Sequence, residues 1–377
     1  MAYYVDKGTL FVPSVNMSSP TPSPFPLRLK QARLLRGFSL RELSDRMENV
    51  ISHVSLAKYE DGTTKPSGDM LAKLCAALEV SPDSLFRPTT ISVGQVSFRK
   101  RKAIPEKQAT MLLEGVRARL ENYIETEELL SSRIEFKQPA LPTADAREAA
   151  RELRRLWGLG DQPIADVTEL LEKQGIRVIE INEAIDHFDG CQLAGLNVIV
   201  ASGLKELPVT RKRFTLAHEL GHLLLDPALA KHRWDEKQLE KFMNGFASEF
   251  LFPSRAVRTF FGGPRTTVTI EELMSAKLRY GISICAIVYA MHELELISDN
   301  ANQRFLTKTR NEWRDENRVI REPGDIEVNQ LYCEKPERFE RLVMRGLAEG
   351  NLSLSRAAGL LGKRLSDIRK GAAPAVE

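Results

Sequence analysis

The sequence has few cysteines, no long apolar run and almost no net charge. Cys75, Cys191, Cys285 and Cys333 stand far apart and no C-x-x-C pair occurs. A disulfide framework and a cysteine-ligated zinc site are therefore excluded, and the four are expected to be small buried side chains in a reducing compartment. No stretch approaches the roughly 18 apolar residues of a membrane span. The opening MAYYVDKGTLFVP lacks a basic leader ahead of an apolar stretch, so it does not read as a signal peptide. A cytoplasmic protein with no membrane partner is expected. A net charge of +3 implies no polyanionic partner by itself, so any basic patch must be local.

What is present is a chain of 377 residues, long enough for roughly two to three domains. Residues 1–24 end in a Ser- and Pro-rich stretch and are expected to be a disordered tail. Residues 25–90 carry short helical patterns. Leu27, Ala32 and Leu35 mark a first amphipathic helix ending near Gly37. Ser39 and Glu42 form a capping box for a second helix, and Ser52 caps a third over His53 to Tyr59. A fourth runs from Ser67 to Leu78 and a last short turn from Ser84 to Phe86. Short helices with a tight turn at Glu48-Asn49 predict an all-α helix-turn-helix domain.

Residues 91–138 read as a linker. Val93 to Phe98 is extended, Arg99-Lys100-Arg101-Lys102 is a basic run, and Lys107 to Ser132 is an amphipathic spacer or dimer helix. Residues 139–298 form a central α+β domain. Ala146 to Leu156 and a segment from Pro163 to Leu171 read as helices. Ile176 to Ile181, Cys191 to Leu193 and Asn197 to Ala201 read as strands of a small sheet.

The chemistry concentrates in FTLAHELGHLLLD, from about Thr210 to a stop at Asp226-Pro227. An α-helix turns once in about 3.6 residues, so His218 and His222 share a face and are able to grip one tetrahedral zinc ion. Glu219 stands beside them as a general base. The pattern H-E-x-x-H arises by chance in about one chain of this length in a hundred. Burial carries more weight: the helix is apolar around most of its circumference, and two histidines and a glutamate inside it are costly unless paired or metal-bound. The metzincin form is excluded, because Leu225 and Ala228 occupy the places of its glycine and third histidine. A third ligand from a second helix remains, giving two His and one Glu. LEKFMNGFASEFLF, Leu239 to Phe252, is that helix. Glu240 is preferred and Glu249 is the competitor near the helix end. Asp226, Asp235 and Glu236 lie on loop-like segments. Asn244, one turn beyond Glu240, is expected to orient a ligand from behind. His232, Tyr280 and Tyr289 are the candidates for stabilising an oxyanion. His187 and His292 read as surface or packing residues.

Two resemblances sharpen these readings. LRELSDRMENVISHVSLAKYEDGTTKPSGDMLAKLCAALEVSPDSLF resembles the Cro and phage-repressor (XRE) class of DNA-binding domain, with two extra residues at Glu48-Asn49. The resemblance implies a double-stranded DNA operator and a homodimer. Ser52, His53, Ser55 and Lys58 would meet base edges in the major groove, and Arg33, Arg41 and Lys65 would sit on phosphates. FTLAHELGHLLLD with LEKFMNGFASEFLFPS resembles the ImmA/IrrE family of metallopeptidases, over about Ala146 to Ile297. That implies a zincin-like fold and one Zn2+ per chain on His218, His222 and Glu240, with Glu219 as catalytic base. It also implies a protein substrate such as a helix-turn-helix repressor or an antitoxin. The alternative is a transcription factor whose peptidase-like domain senses or scaffolds without proteolysis. Residues 299–377 are expected to be a C-terminal helical region. Thr307 to Glu322 would be a solvated connector, and LSLSRAAGLLGKRLSDIRK would be a degenerate second helix-turn-helix.

Overall fold

In the computed structural model the described residues are 23–88, 104–141, 145–183, 185, 188–204, 206–225, 235–314 and 320–371. The tail expected at the N terminus, the basic run Arg99–Lys102, the extended segment 93–98, the Asp226-Pro227 stop, His187 and His232 lie outside them. The chain divides into two units, Met1–Ser92 and Val93–Glu377. The architecture is α+β and multidomain: a helical N-terminal unit, then a three-stranded sheet with helices, then further helices. No single helix among the described residues is long and apolar enough to cross a membrane.

The first unit contains α1 (Phe25–Leu35), α2 (Leu40–Arg46), α3 (His53–Glu60), α4 (Gly68–Leu78) and α5 (Pro82–Phe86). Leu27 and Leu35 point outward rather than in. The buried stripe of α1 is Phe25, Leu29 and Ala32, which meets Leu43, Leu56, Leu74 and Leu78. The Ser39–Glu42 capping box starts α2, and Ser52 caps α3 by accepting the Ser55 amide. Between them Glu48 and Asn49 both adopt positive φ, 54° and 57°. Two successive left-handed residues are how the longer turn still delivers α3 to Ser52.

The second unit begins with α6 (Glu106–Leu129). It was expected to be a free spacer or dimer helix, and instead it packs on the sheet and on a C-terminal helix. Its buried face is largely polar, with Arg117 between Glu114 and Glu121, and Glu127 on Arg177. Next come α7 (Ala146–Leu156), α8 (Val167–Lys173), and strands β1 (Arg177–Ile181), β2 (Gly190–Leu193) and β3 (Val198–Ser202). The order is β1-β3-β2. β1 runs parallel to β3, with Arg177 opposite Val198, and β2 runs antiparallel, with Gly190 opposite Ala201. Helix α9 (Val209–Leu224) lies on this sheet and packs against α10 (Glu236–Leu251) on its other side. Leu216, Ala217 and Leu220 of α9 join Ile199 and Ala201 of β3 with Phe246 and Phe250 of α10 in one core. An apolar ring around α9 is thus a consequence of burial on two sides.

Helices α11 (Ser254–Phe261), α12 (Ile270–Tyr280), α13 (Ile284–Glu293), α14 (Asp299–Glu312), α15 (Asp325–Leu331), α16 (Arg338–Ala348), α17 (Leu354–Leu361) and α18 (Leu365–Gly371) follow. The expected solvated connector is half wrong. Part of it is helix α14, and Glu322 is buried, accepting from Lys277 Nζ (3.0 Å) and from the Ile284 and Cys285 amides that open α13. Glu334 plays the same part for α8. It is buried and accepts from the Val167 and Thr168 amides and from Arg213 of α9. The C-terminal segments are therefore built into the second unit. α16 packs on α6, while α17 and α18 close a small core of Val343, Leu352, Ala357 and Ile368. Of the cysteines, Cys75 and Cys191 are buried as expected, but Cys333 is exposed.

Candidate metal centre and DNA-reading helix

The metal candidates come from two helices whose close approach is set by one glycine. A Cβ on Gly221 would lie 2.9 Å from Met243 Sδ and 3.0 Å from Phe246 Cδ1, so only glycine lets α10 come this near to α9. The start of α10 is fixed by a capping box between Asp235 and Gln238. Asp235 and Glu236, read from sequence as loop, are its N-cap and first residue. With both ends set, Glu240 faces the histidines. His218 Nε2 and His222 Nε2 lie 3.1 Å apart, and each is 3.4 Å from a Glu240 carboxylate oxygen. Both rings are buried, at 3% and 5% exposure, while the Glu240 side chain keeps 25%. Asn244 Oδ1 stands 3.0 Å from His218 Nδ1.

This donor set fits a zinc ion. Zinc ligands about 2.0–2.1 Å from a tetrahedral centre are separated by about 3.3–3.4 Å. The three observed separations of 3.1, 3.4 and 3.4 Å are close to that value. With the Asn244 carbonyl accepting, His218 carries its proton on Nδ1 and turns the Nε2 lone pair toward His222. Two imidazole nitrogens facing each other at this distance, with a carboxylate beside them, need a cation between them. Among the described residues this is the group of His, Cys, Asp and Glu donors able to hold an ion.

Glu219 leaves the ligand face and lies toward β2. Its Cγ would be 3.6 Å from a Cβ placed on Gly190. The competitor Glu249 is elsewhere: it accepts the Ser254 amide (3.0 Å) and the Ser254 hydroxyl and so starts α11. Tyr280 is buried, with its ring stacked 4.1 Å from that of Phe252. Tyr289 lines a groove beside α7 and α10. His292 pairs with Asp299 at 2.5 Å. None of these three is placed on the donor set. Phe214 packs its ring 6.5 Å from that of His218. Gly221, Gly190 and Phe214 are residues that the sequence reading left out. A glycine inside an otherwise apolar helix was the visible sign of the first.

In the first unit the opening turn of α3 presents His53 and Lys58 to solvent, with Ser55 half-buried. The Ser52 hydroxyl is engaged as the helix cap, 3.1 Å from the Ser55 amide. Arg41 and Lys65 are exposed. Arg33 is not available to a phosphate as expected. It is 7% exposed, its guanidinium binds both Glu60 carboxylate oxygens at 2.6 and 2.8 Å, and it also donates to the Phe38 carbonyl. It ties α1 to α3. Val54, absent from the expected set, is 54% exposed in the first turn of α3.

Comparison with protein families agrees with this geometry. Residues 29–85 match the family profile described as helix-turn-helix, and residues 171–292 match that of the IrrE N-terminal-like domain, a peptidase family. No curated protein matches the chain significantly. The helix-turn-helix match supports binding of double-stranded DNA. The chain joins a DNA-binding helix-turn-helix domain of the XRE type to a peptidase-like domain of the ImmA/IrrE family.

Proposed function

We propose that the protein is a cytoplasmic transcriptional regulator that binds a DNA operator and hydrolyses a peptide bond in a second protein. The substrate class is a repressor or antitoxin that controls mobile-element, stress or DNA-damage genes. The observation that carries the reading is the intact Glu219 beside a His218–His222–Glu240 set with tetrahedral spacing. A site kept only for structure has no need of a carboxylate turned off the ligand face.

His218, His222 and Glu240 would hold one zinc ion, and Asn244 would keep His218 in the tautomer that presents Nε2. The ion supplies a Lewis acid that makes water a nucleophile near neutral pH and polarises a carbonyl. Glu219 accepts the proton as the water oxygen bonds to the peptide carbonyl carbon. The C–N bond then breaks, and Glu219 returns the proton to the leaving amine. One water is consumed, and a carboxylic acid and an amine are formed. In the first unit His53, Ser55 and Lys58 face base edges, while Arg41 and Lys65 face phosphates. Ser52 contributes by capping the reading helix. Two copies bind paired half-sites as a homodimer.

The test is to measure bound zinc and cleavage of co-expressed repressor and antitoxin proteins from neighbouring genes, for wild type and Glu219→Gln. Zinc retained in both, with cleavage only by wild type, supports the reading. Operator binding without any cleavage by wild type overturns it in favour of a sensing or scaffolding role.

A further inference from the structure

Strand β2 is the margin of the sheet nearest the catalytic helix, and its pattern is specific. The Ser202 amide donates to the Asp189 carbonyl at 2.9 Å, in register with Gly190 opposite Ala201. Hydrogen-bonded pairs alternate along an antiparallel ladder. Cys191 and Leu193 therefore bond to β3, while Gly190 and Gln192 turn their N–H and C=O groups away from it. Among the described residues no strand pairs with that outer side.

The side chains of the same two residues look the other way. Gly190 and Gln192 stand opposite Ala201 and Ile199, both of which belong to the core shared with α9. At Gly190 the strand nearly touches that helix: a Cβ there would lie 2.6 Å from Thr215 Cγ2 and 3.6 Å from Glu219 Cγ. Gln192 is the next residue on this face, about 7 Å along the strand. Its Oε1 is buried and has no hydrogen-bond partner. A buried carbonyl left unpaired is costly and calls for a donor from a ligand. The other unpaired side-chain atoms of this kind, on Gln108, His292 and Asn302, lie on other elements, and none is on the strand facing Glu219.

We propose that Gln192 is a substrate-positioning residue. An extended segment of the protein substrate lies along the open edge of β2 and pairs its backbone with Gly190 and Gln192. The Gln192 carboxamide oxygen accepts one further backbone N–H of that segment, beside the bond that Glu219 serves. Recognition of this kind reads main chain rather than side chains, so the enzyme selects exposed, extended segments. Proline is excluded at the residue whose N–H meets Gln192, because it has none to give. The proposal rests on the peptidase reading above.

The experiment uses the full-length protein loaded with zinc and a library of synthetic peptides of randomised sequence. Cleavage sites are read by mass spectrometry, and the best-cleaved peptide is then used for kinetics. Gln192→Met, near in size but without the acceptor, and Gln192→Ala are compared with wild type for kcat, KM, bound zinc and thermal unfolding. The expected result is a KM raised about tenfold, with kcat, zinc content and unfolding temperature little changed. N-methylation of the contacting peptide nitrogen raises KM for wild type but not for either variant. Cleavage by both variants with unchanged KM overturns the role of Gln192 and leaves the peptidase reading standing. Loss of zinc or of folding in both variants, with KM of the remaining active fraction unchanged, assigns Gln192 to structure and also overturns the proposal. Zinc-loaded wild type that cleaves no peptide and no co-expressed protein overturns both readings together.

Discussion

Removing the Glu334 carboxylate should unfold the second unit more readily than any surface change. Arg213 is 0% exposed and Glu334 1%. Glu334 also accepts the Val167 amide at 3.0 Å, the Thr168 amide at 2.8 Å and the Thr168 hydroxyl at 2.9 Å. Glu334→Ala leaves a buried guanidinium without its counter-charge, which costs about 3–5 kcal/mol. For a unit of this size that corresponds to a fall of about 10 °C in Tm. Arg213 retains the Gly281 and Ile164 carbonyls and the face of Tyr332, so the protein is weakened rather than abolished. The assay is urea unfolding followed by tryptophan fluorescence. All three tryptophans fall within Val93–Glu377, so the signal reports this unit alone. The companion variant, Glu334→Leu with Arg213→Met, removes both charges and should lose less stability than the sum of the two single changes. A cost below about 1 kcal/mol for Glu334→Ala, or strict additivity in the double variant, would refute the reasoning.

Three further outcomes are expected. Burial raises the Glu172 carboxyl from its ordinary 4.5 to about 7. A group that is easier to protonate when folded favours folding at low pH, so its contribution is full below about pH 4.5 and is lost as pH rises through about 7. Glu172→Gln should flatten that slope in urea titrations and gain up to about 3 kcal/mol at pH 8. Zinc at a hundred times its Kd should add about 2.7 kcal/mol of stability to wild type. In His218→Ala the shift in Tm on adding zinc should vanish. On a selected operator, replacing a thymine facing α3 by uracil should weaken binding by wild type about fourfold, the value of one buried methyl. Val54→Ala, lacking the exposed apolar contact, should be indifferent to that replacement, as read by equilibrium binding at fixed salt.

The sequence disclosed elements whose signal is local. The Ser39–Glu42 box, the Ser52 cap and the apolar periodicity around His218 each lie within one or two helical turns, and each appears at the expected residues. What it hid were partners distant along the chain. Helix α6 read as a free spacer because its inner face carries Arg117, Glu121 and Glu127, charges that look solvated until their buried partners are placed. Glu322 was assigned to a solvated connector for the same reason, although it serves the first turn of α13. Arg33 failed in the other direction: a basic residue beside a DNA-reading motif is an obvious phosphate ligand, yet Glu60 claims it. At the candidate metal site the pairing of Glu240 with the histidines came from rigid helix spacing. The role of Gly221 in permitting that spacing was visible only once α10 was in place.

The carboxylates contributed after α14 have a consequence for the order in which the living chain matures. Synthesis runs from the N terminus, and units fold as they emerge. The core of the first unit is complete once Leu85 is made. Arg213, on the helix that carries His218, waits for Glu334. A nascent chain therefore owns a finished DNA reader well before its hydrolytic half can settle. A message cut short between residues 298 and 334 would yield a protein able to occupy an operator and unable to clear it.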